Sequence, residues 1–261
     1  MKRILAKCVM LALLLCPASL VQAQEVGDEW VEPITGMEFV WVPGGCYEMG
    51  CGEWAGDDCR EDEFPVHEVC VDGFWMGKYE VTIEQWQAMM GDYPTEFLRG
   101  GLYPVTNVSW DDIQQFIFRM NFMSGTSLHY RLPREAEWEY ACRSGGQEEI
   151  YSGGSEFYDF AWTEENTRGT QPVGTKLPNG LGIFDMSGNA WELQQDCYMA
   201  SAYSNYGSDN PLVENCGQGD ITYVTRGGSC GGGYRAVTCM TRLNAPPSLR
   251  YDFISFRLVR N

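Results

Sequence analysis

Residues 180–196 read GLGIFDMSGNAWELQQD, and this stretch governs how the rest of the chain is read. Two carboxylates, Asp185 and Glu192, flank the turn Ser187-Gly188-Asn189. A glycine-rich turn lets backbone carbonyls point inward, and hard cations take oxygen ligands of mixed side-chain and carbonyl origin. On residue chemistry alone the stretch is a structural turn, with a cation site as the competing reading.

Upstream, three helices carry start signals. Thr82 with Gln85 forms a capping box ahead of a run to Met90. Ser109 with Asp112 opens a second helix, where Trp110, Ile113, Phe116, Ile117 and Met120 recur at helical spacing and read as core. That cap also makes the sequon Asn107-Val108-Ser109 a helix entry rather than a glycan site. A third helix begins at Pro133 in LPREAEWEYACR and stops at Gly145-Gly146. Further upstream, MEFVWVPGG from Met37 and then CYEMG are strand-like. His67 to Val71 and Phe74 to Val81 are expected to form a hairpin about Asp72-Gly73. The acidic run 57–63 reads as a solvated loop, and residues 24–36 as a polar lead-in. Downstream of the third helix come loops and short strand candidates. The order predicts one α+β domain over 37–261, without repeat or linker.

With 36 Asp+Glu against 18 Lys+Arg, the formal charge is -18. That balance excludes a protein that grips phosphate backbones or anionic lipid through clustered bases. The 44% hydrophobic and 13% aromatic content excludes a disordered chain. Lys2, Arg3 and Lys7, the apolar run Val9 to Leu15 and the small residues near Ala23 predict a signal peptide over 1–23, hence export to the periplasm or medium. Leu15 before Cys16 argues against a lipobox. Removing the leader would take the formal charge from -18 to -21. No later stretch is long and apolar enough to span a bilayer.

Nine cysteines remain beyond the leader: Cys46, Cys51, Cys59, Cys70, Cys142, Cys197, Cys216, Cys230 and Cys239. In an oxidising compartment they imply disulfides, and an odd number leaves at least one thiol free or paired outside the chain. Cys46, Cys51, Cys59 and Cys70 are expected to make two bridges among themselves, in a pairing that the sequence leaves open. Zinc is disfavoured, because there is no C-x-x-C pair and His67 and His129 are the only histidines. Gly227-Gly228-Ser229-Cys230-Gly231 matches a nucleophile elbow, but both histidines lie upstream of Ser229, against the order that such a site needs.

The blocks GMEFVWVPGG, PVHEVCVDGFWMGKYEVT, YPVTNVSWDD, YRLPREAEWEYACR, PVGTKLPNGLGIFDMSGNAWEL and VTRGGS, in order from Met37 to Arg260, resemble the sulfatase-modifying factor, or formylglycine-generating enzyme, family. The resemblance implies a compact C-type-lectin-like fold with little regular secondary structure. It implies structural calcium held by the carboxylates of Asp185 and Glu192 and the carbonyls of Gly188 and Ala190. It also implies a disulfide between Cys142 and Cys239, while a second family disulfide maps onto Ile117 and Leu258, where both halves are missing. The family's founding activity oxidises a sulfatase cysteine to formylglycine with oxygen and copper, through two cysteines three and eight residues after the GGS serine. Those positions are Gly232 and Val237 here. Copper(I) takes soft thiolates, so copper is not expected.

The reading adopted from the sequence is therefore an exported, calcium-stabilised binding or assembly module for an unidentified protein or small molecule. Ser229 and Cys230 are the only catalytic candidates, with Cys230 either the unpaired ninth cysteine or a partner of Cys216 or Cys197. The alternative is an oxidative maturation enzyme, either acting on a sulfatase-type cysteine or related to siderophore maturation; exported members of the family without the cysteine pair include a protein of pyoverdine maturation. A third reading, the variable protein of a diversity-generating retroelement, would place ligand contacts on Cys230 to Phe253.

Overall fold

The computed structural model describes residues 24–261 except 57, 95–98, 126–128 and 218; the expected leader lies outside the described residues. Among the described residues, eleven strands and four α-helices follow one another. The strands β1 (Glu29–Val31), β2 (Glu38–Val42), β3 (Gly45–Met49), β4 (His67–Val71) and β5 (Phe74–Gly77) precede helices α1 (Ile83–Met90) and α2 (Trp110–Ser124). Then come β6 (Tyr130–Arg131), α3 (Glu135–Cys142), α4 (Phe157–Phe160), β7 (Trp191–Cys197), β8 (Tyr223–Arg226), β9 (Arg242–Ala245), β10 (Ile254–Ser255) and β11 (Val259–Arg260).

A five-stranded sheet runs β1-β2-β5-β11-β6, a four-stranded sheet β10-β7-β8-β9, and β3 pairs with β4 alone. The larger sheet is buried on both faces. Phe39 and Leu258 point into one core with Trp86 of α1 and Phe116 of α2, while Val40, Val42, Met76 and Val259 point into another around Trp138 of α3. A strand covered on both sides needs apolar residues at successive positions, which is why Phe39 to Val42 is a continuous apolar run. In the first core Trp86 stacks on Phe116 at 5.3 Å, and Phe256 meets Phe116 edge-on.

Both capping boxes form: Thr82 with Gln85, and Ser109 with Asp112. Gly91 closes α1 at φ 84°, a left-handed conformation that glycine adopts without penalty. The third helix is shorter than its sequence signals. Arg134 is its extended N-cap, held by Glu137, and the backbone N–H groups of Gly145 and Gly146 both turn back to the Tyr140 carbonyl.

Three expectations need correction. The strands on either side of Asp72-Gly73 do not pair as a hairpin: β4 pairs with β3, and β5 with β2 and β11. The two connections, through Gly44 and through Gly73, cross side by side between sheets. A Cβ on Gly44 would lie 2.7 Å from the Val71 carbonyl oxygen and 2.8 Å from the Gly73 nitrogen, so this crossing needs a bare backbone. The polar lead-in is part of the domain, because β1 pairs with β2, Trp30 opposite Phe39, and the buried Glu32 carboxylate accepts from the Ile34 and Thr35 N–H groups. The acidic run is not wholly solvated: Asp62 and Glu63 are buried, the first accepting from the Tyr198 hydroxyl at 2.7 Å and the second from the Arg60 N–H at 3.0 Å.

Four disulfides join Cys46 to Cys70, Cys51 to Cys59, Cys142 to Cys239 and Cys197 to Cys216. Cys46 and Cys70 face each other across the β3–β4 ladder. Among the described residues only Cys230 is a free cysteine, and it is buried.

Candidate functional site

The turn at 185–192 is the meeting point of segments distant in sequence. Asp185, Gly188 and Asn189 all take positive φ, which folds the backbone tightly enough for its polar groups to face inward. Gly188 is obligatory, since a Cβ there would lie 2.3 Å from the Trp162 carbonyl oxygen. Asn189 binds in four directions. Its N–H donates to Trp162, its carbonyl accepts from the Cys230 N–H, its Oδ1 accepts from the Gln171 N–H, and its Nδ2 donates to Glu80 at 2.6 Å. The other Glu80 oxygen accepts from the Ala190 N–H at 3.0 Å. Sequence reading missed both Glu80 and the centrality of Asn189; the only signal for Asn189 was its place beside the turn glycine.

Glu192 is the second residue of β7 and is fully buried. Trp138 Nε1 donates to its Oε2 at 2.7 Å, and Arg257 reaches Oε2 through Nε and Oε1 through Nη2. Arg257 also donates to the carbonyls of Gly77 and Phe184, tying the turn to β5. Asp185 accepts from the Gly174 N–H through Oδ2, whereas its buried Oδ1 has no hydrogen-bond partner. Glu80, Asp185 and Glu192 thus share one buried cation, Arg257. Burial pushes the Asp185 carboxyl up to about 6, against the Gly174 hydrogen bond and Arg257. Burial, with Asp185 and Glu192 nearby, holds Glu80 well above the usual carboxylate range.

A cation fits this excess of buried negative charge. The orphaned Asp185 Oδ1 is the open side-chain ligand, and Glu192 Oε1, which among the described residues accepts only from Arg257, retains a lone pair. The Gly188 and Ala190 carbonyls would complete an oxygen set of the kind calcium takes. Among the described residues the one convergence of three acidic, histidine or cysteine ligand atoms is at Cys51, Cys59 and Glu63. Both sulfurs there belong to a disulfide, so that cluster is not a metal site.

Ser229 and Cys230 follow the sharp Gly227-Gly228 turn, where both φ values are positive. Ser229 Oγ accepts from the Gly231 N–H at 3.3 Å. The Cys230 thiol is pushed up to about 12 by burial and by Glu80, so it is protonated at neutral pH and a poor nucleophile. His67 is bound to the Pro65 carbonyl and packed on Tyr203 and Tyr206, while His129 is exposed ahead of β6. Gly232 donates to the Ser229 carbonyl and accepts from the Glu164 N–H, and Val237 is fully buried beside Tyr151 and Ala161.

A second polar centre, which sequence reading missed, anchors these loops. Every residue of α3 is buried, its three glutamates included. Arg226 reaches Glu139 at 2.5 Å, and Arg242 grips Glu135 through Nε at 2.7 Å and Nη2 at 2.8 Å. Arg226 also donates to the carbonyls of Cys239, Met240 and Thr241. The arginine just before the Gly227-Gly228 turn therefore fixes that turn to α3.

The chain matches the sulfatase-modifying factor enzyme 1-like domain over residues 24–261, and it belongs to that family. Among its relatives is a protein named chaperone LppX from Paenibacillus barcinonensis, 29% identical over 207 residues, 59% of this chain and 70% of the relative. The mouse formylglycine-generating enzyme is 26% identical over 231 residues, 63% of this chain but only 59% of the enzyme. Among solved structures, PvdO from Pseudomonas aeruginosa superposes with a TM-score of 0.78 at 26% identity, covering 92% of this chain and all of PvdO. The Treponema denticola variable protein 1 gives 0.75 at 23% identity, covering 90% and 99%, and shares the fold. The formylglycine-generating-enzyme-like α+β architecture is thus established.

Proposed function

We propose that this member of the family is an exported, calcium-stabilised binding or assembly module rather than a copper oxidase. The observation that carries the reading is the state of the thiols. Glycine and valine stand where the family places its copper-binding cysteines, and the neighbouring Cys230 is a lone, buried thiol held protonated. A copper(I) oxidase needs two thiolates on one metal. The relative named as a chaperone supports an assembly role. Calcium at Asp185, Gly188, Ala190 and Glu192 would supply structural charge neutralisation and no chemistry. Export is supported by four disulfides and the basic-apolar leader sequence; no described helix is long and apolar enough to cross a membrane.

The similarity to PvdO over nearly the whole chain favours a second reading, an oxidative maturation enzyme of another kind. Copper(I) affinity and turnover of a sulfatase-type cysteine peptide separate the two. The module reading expects neither tight copper binding nor formylglycine. Turnover that disappears in Cys230→Ser would establish the oxidase instead.

A further inference from the structure

A polar groove of about 460 Å³ runs between residues 99–103 and 167–171, lined by Arg99, Tyr103, Arg168 and Gln171 with the backbone of Gly169 and Thr170. Two guanidinium groups in one groove are unusual in a chain whose acidic residues outnumber its basic ones 36 to 18. The buried arginines 143, 226, 242 and 257 all face carboxylates. Arg168 is exposed and, among the described residues, has no ion-pair partner.

The groove is preorganised. Arg99 Nη1 donates to the Thr170 carbonyl at 3.1 Å and to its hydroxyl, and the guanidinium lies 5.8 Å from the Tyr103 ring centre. A Cβ on Gly169 would sit 3.3 Å from Arg99 Nη2, so the guanidinium lies directly against the Gly169 backbone. Gln171 Nε2 donates to the Thr167 hydroxyl and the Gly169 and Thr170 carbonyls, and its backbone N–H is held by Asn189. The groove is thereby fixed to the 185–192 turn before any ligand arrives, which lowers the entropic cost of binding.

We propose that this groove binds a carboxylate-bearing ligand through Arg99 and Arg168. Guanidinium groups pair with planar oxyanions through paired hydrogen bonds. The net negative field of the chain opposes multiply charged anions more than singly charged ones, which favours a carboxylate over a phosphate dianion. The assignment deepens the module reading by naming its ligand class.

The test titrates N-acetylglycine and, separately, inorganic phosphate into the full protein at low salt, followed by amide NMR. The expected result is saturable N-acetylglycine binding with shifts confined to 99–103 and 167–171, weaker binding of phosphate, and about tenfold or greater loss of affinity in Arg168→Gln. Arg119→Gln removes the same charge at an exposed residue of α2 that does not line the groove and should leave affinity within about twofold. Arg99→Gln should weaken binding like Arg168→Gln; if it unfolds, the exposed Arg168 variant decides alone. Absence of saturable binding by folded protein, equal weakening by Arg119→Gln, or tighter phosphate binding would overturn the proposal. Peptide turnover would defeat the module reading while leaving carboxylate binding intact, so the two failures are distinguishable.

Discussion

Arg257 closes on Glu192 through two nitrogens, Nη2 to Oε1 at 2.6 Å and Nε to Oε2 at 2.7 Å, with both side chains fully buried. The pair joins the 185–192 turn to the segment ahead of β11. Removing one partner strands the other charge in the interior, a change that costs about 3–5 kcal/mol. Arg257→Ala and Glu192→Ala should each lower unfolding free energy by that amount in urea titrations, and the double variant should lose much less than the sum.

Calcium should raise the melting temperature of the wild type, and a chelator should lower it, because an ion that binds only the folded state stabilises it by mass action. Asp185→Ala removes the open carboxylate without touching Arg257, so its melting temperature should no longer respond to either. A response unchanged from wild type would place the ion elsewhere.

Cys142 and Cys239, separated by 97 positions, tie the end of α3 to the loop before β9. Replacing both with serine should cost about 2–5 kcal/mol, read by denaturation beside the intact protein. Peptide mapping without reductant should recover the two cysteines in one linked fragment.

Asp196 supplies a pH signature. Its carboxyl is pushed from 3.8 up to about 7 by burial and by neighbouring Glu135, against hydrogen bonds from Val213, Glu135 and Tyr206. The folded state therefore holds a proton that the unfolded chain releases between about pH 4 and pH 7. The stabilisation is fully present below the unfolded value and is lost as pH rises through the folded one. Stability relative to Asp196→Asn should fall by roughly 2–4 kcal/mol from pH 4 to pH 8. The amide adds a pH-independent offset where it faces an N–H, so the slope is the test. Parallel curves for the two proteins would rule the linkage out.

The legible features were local ones. Thr82 and Ser109 announced their helices because a capping box is complete within four residues, and the 185–192 turn stood out because glycine and carboxylates sit together in sequence. The rest depends on partners far along the chain. Nothing near Glu80 marks it as the acceptor for a turn 109 positions away. Glu139 and Glu135 of α3 are buried against Arg226 and Arg242, which arrive from 87 and 107 positions downstream. Asp72-Gly73 has hairpin chemistry, but local preference yields when both flanking strands already have neighbours, here β3 on one side and β2 and β11 on the other.

The position of β11 between β5 and β6 sets the order in which the molecule can be made. The largest sheet stays divided until residues 259–260 have left the ribosome, however early β1, β2 and β5 meet. A chain cut before residue 259 would leave β6 without a neighbour and one side of β5 open, the kind of bare strand edge that recruits other chains. Quality control acting on this protein would therefore see a nascent chain lacking residues 259–260 as unfinished, and closure of the sheet would wait on those two residues.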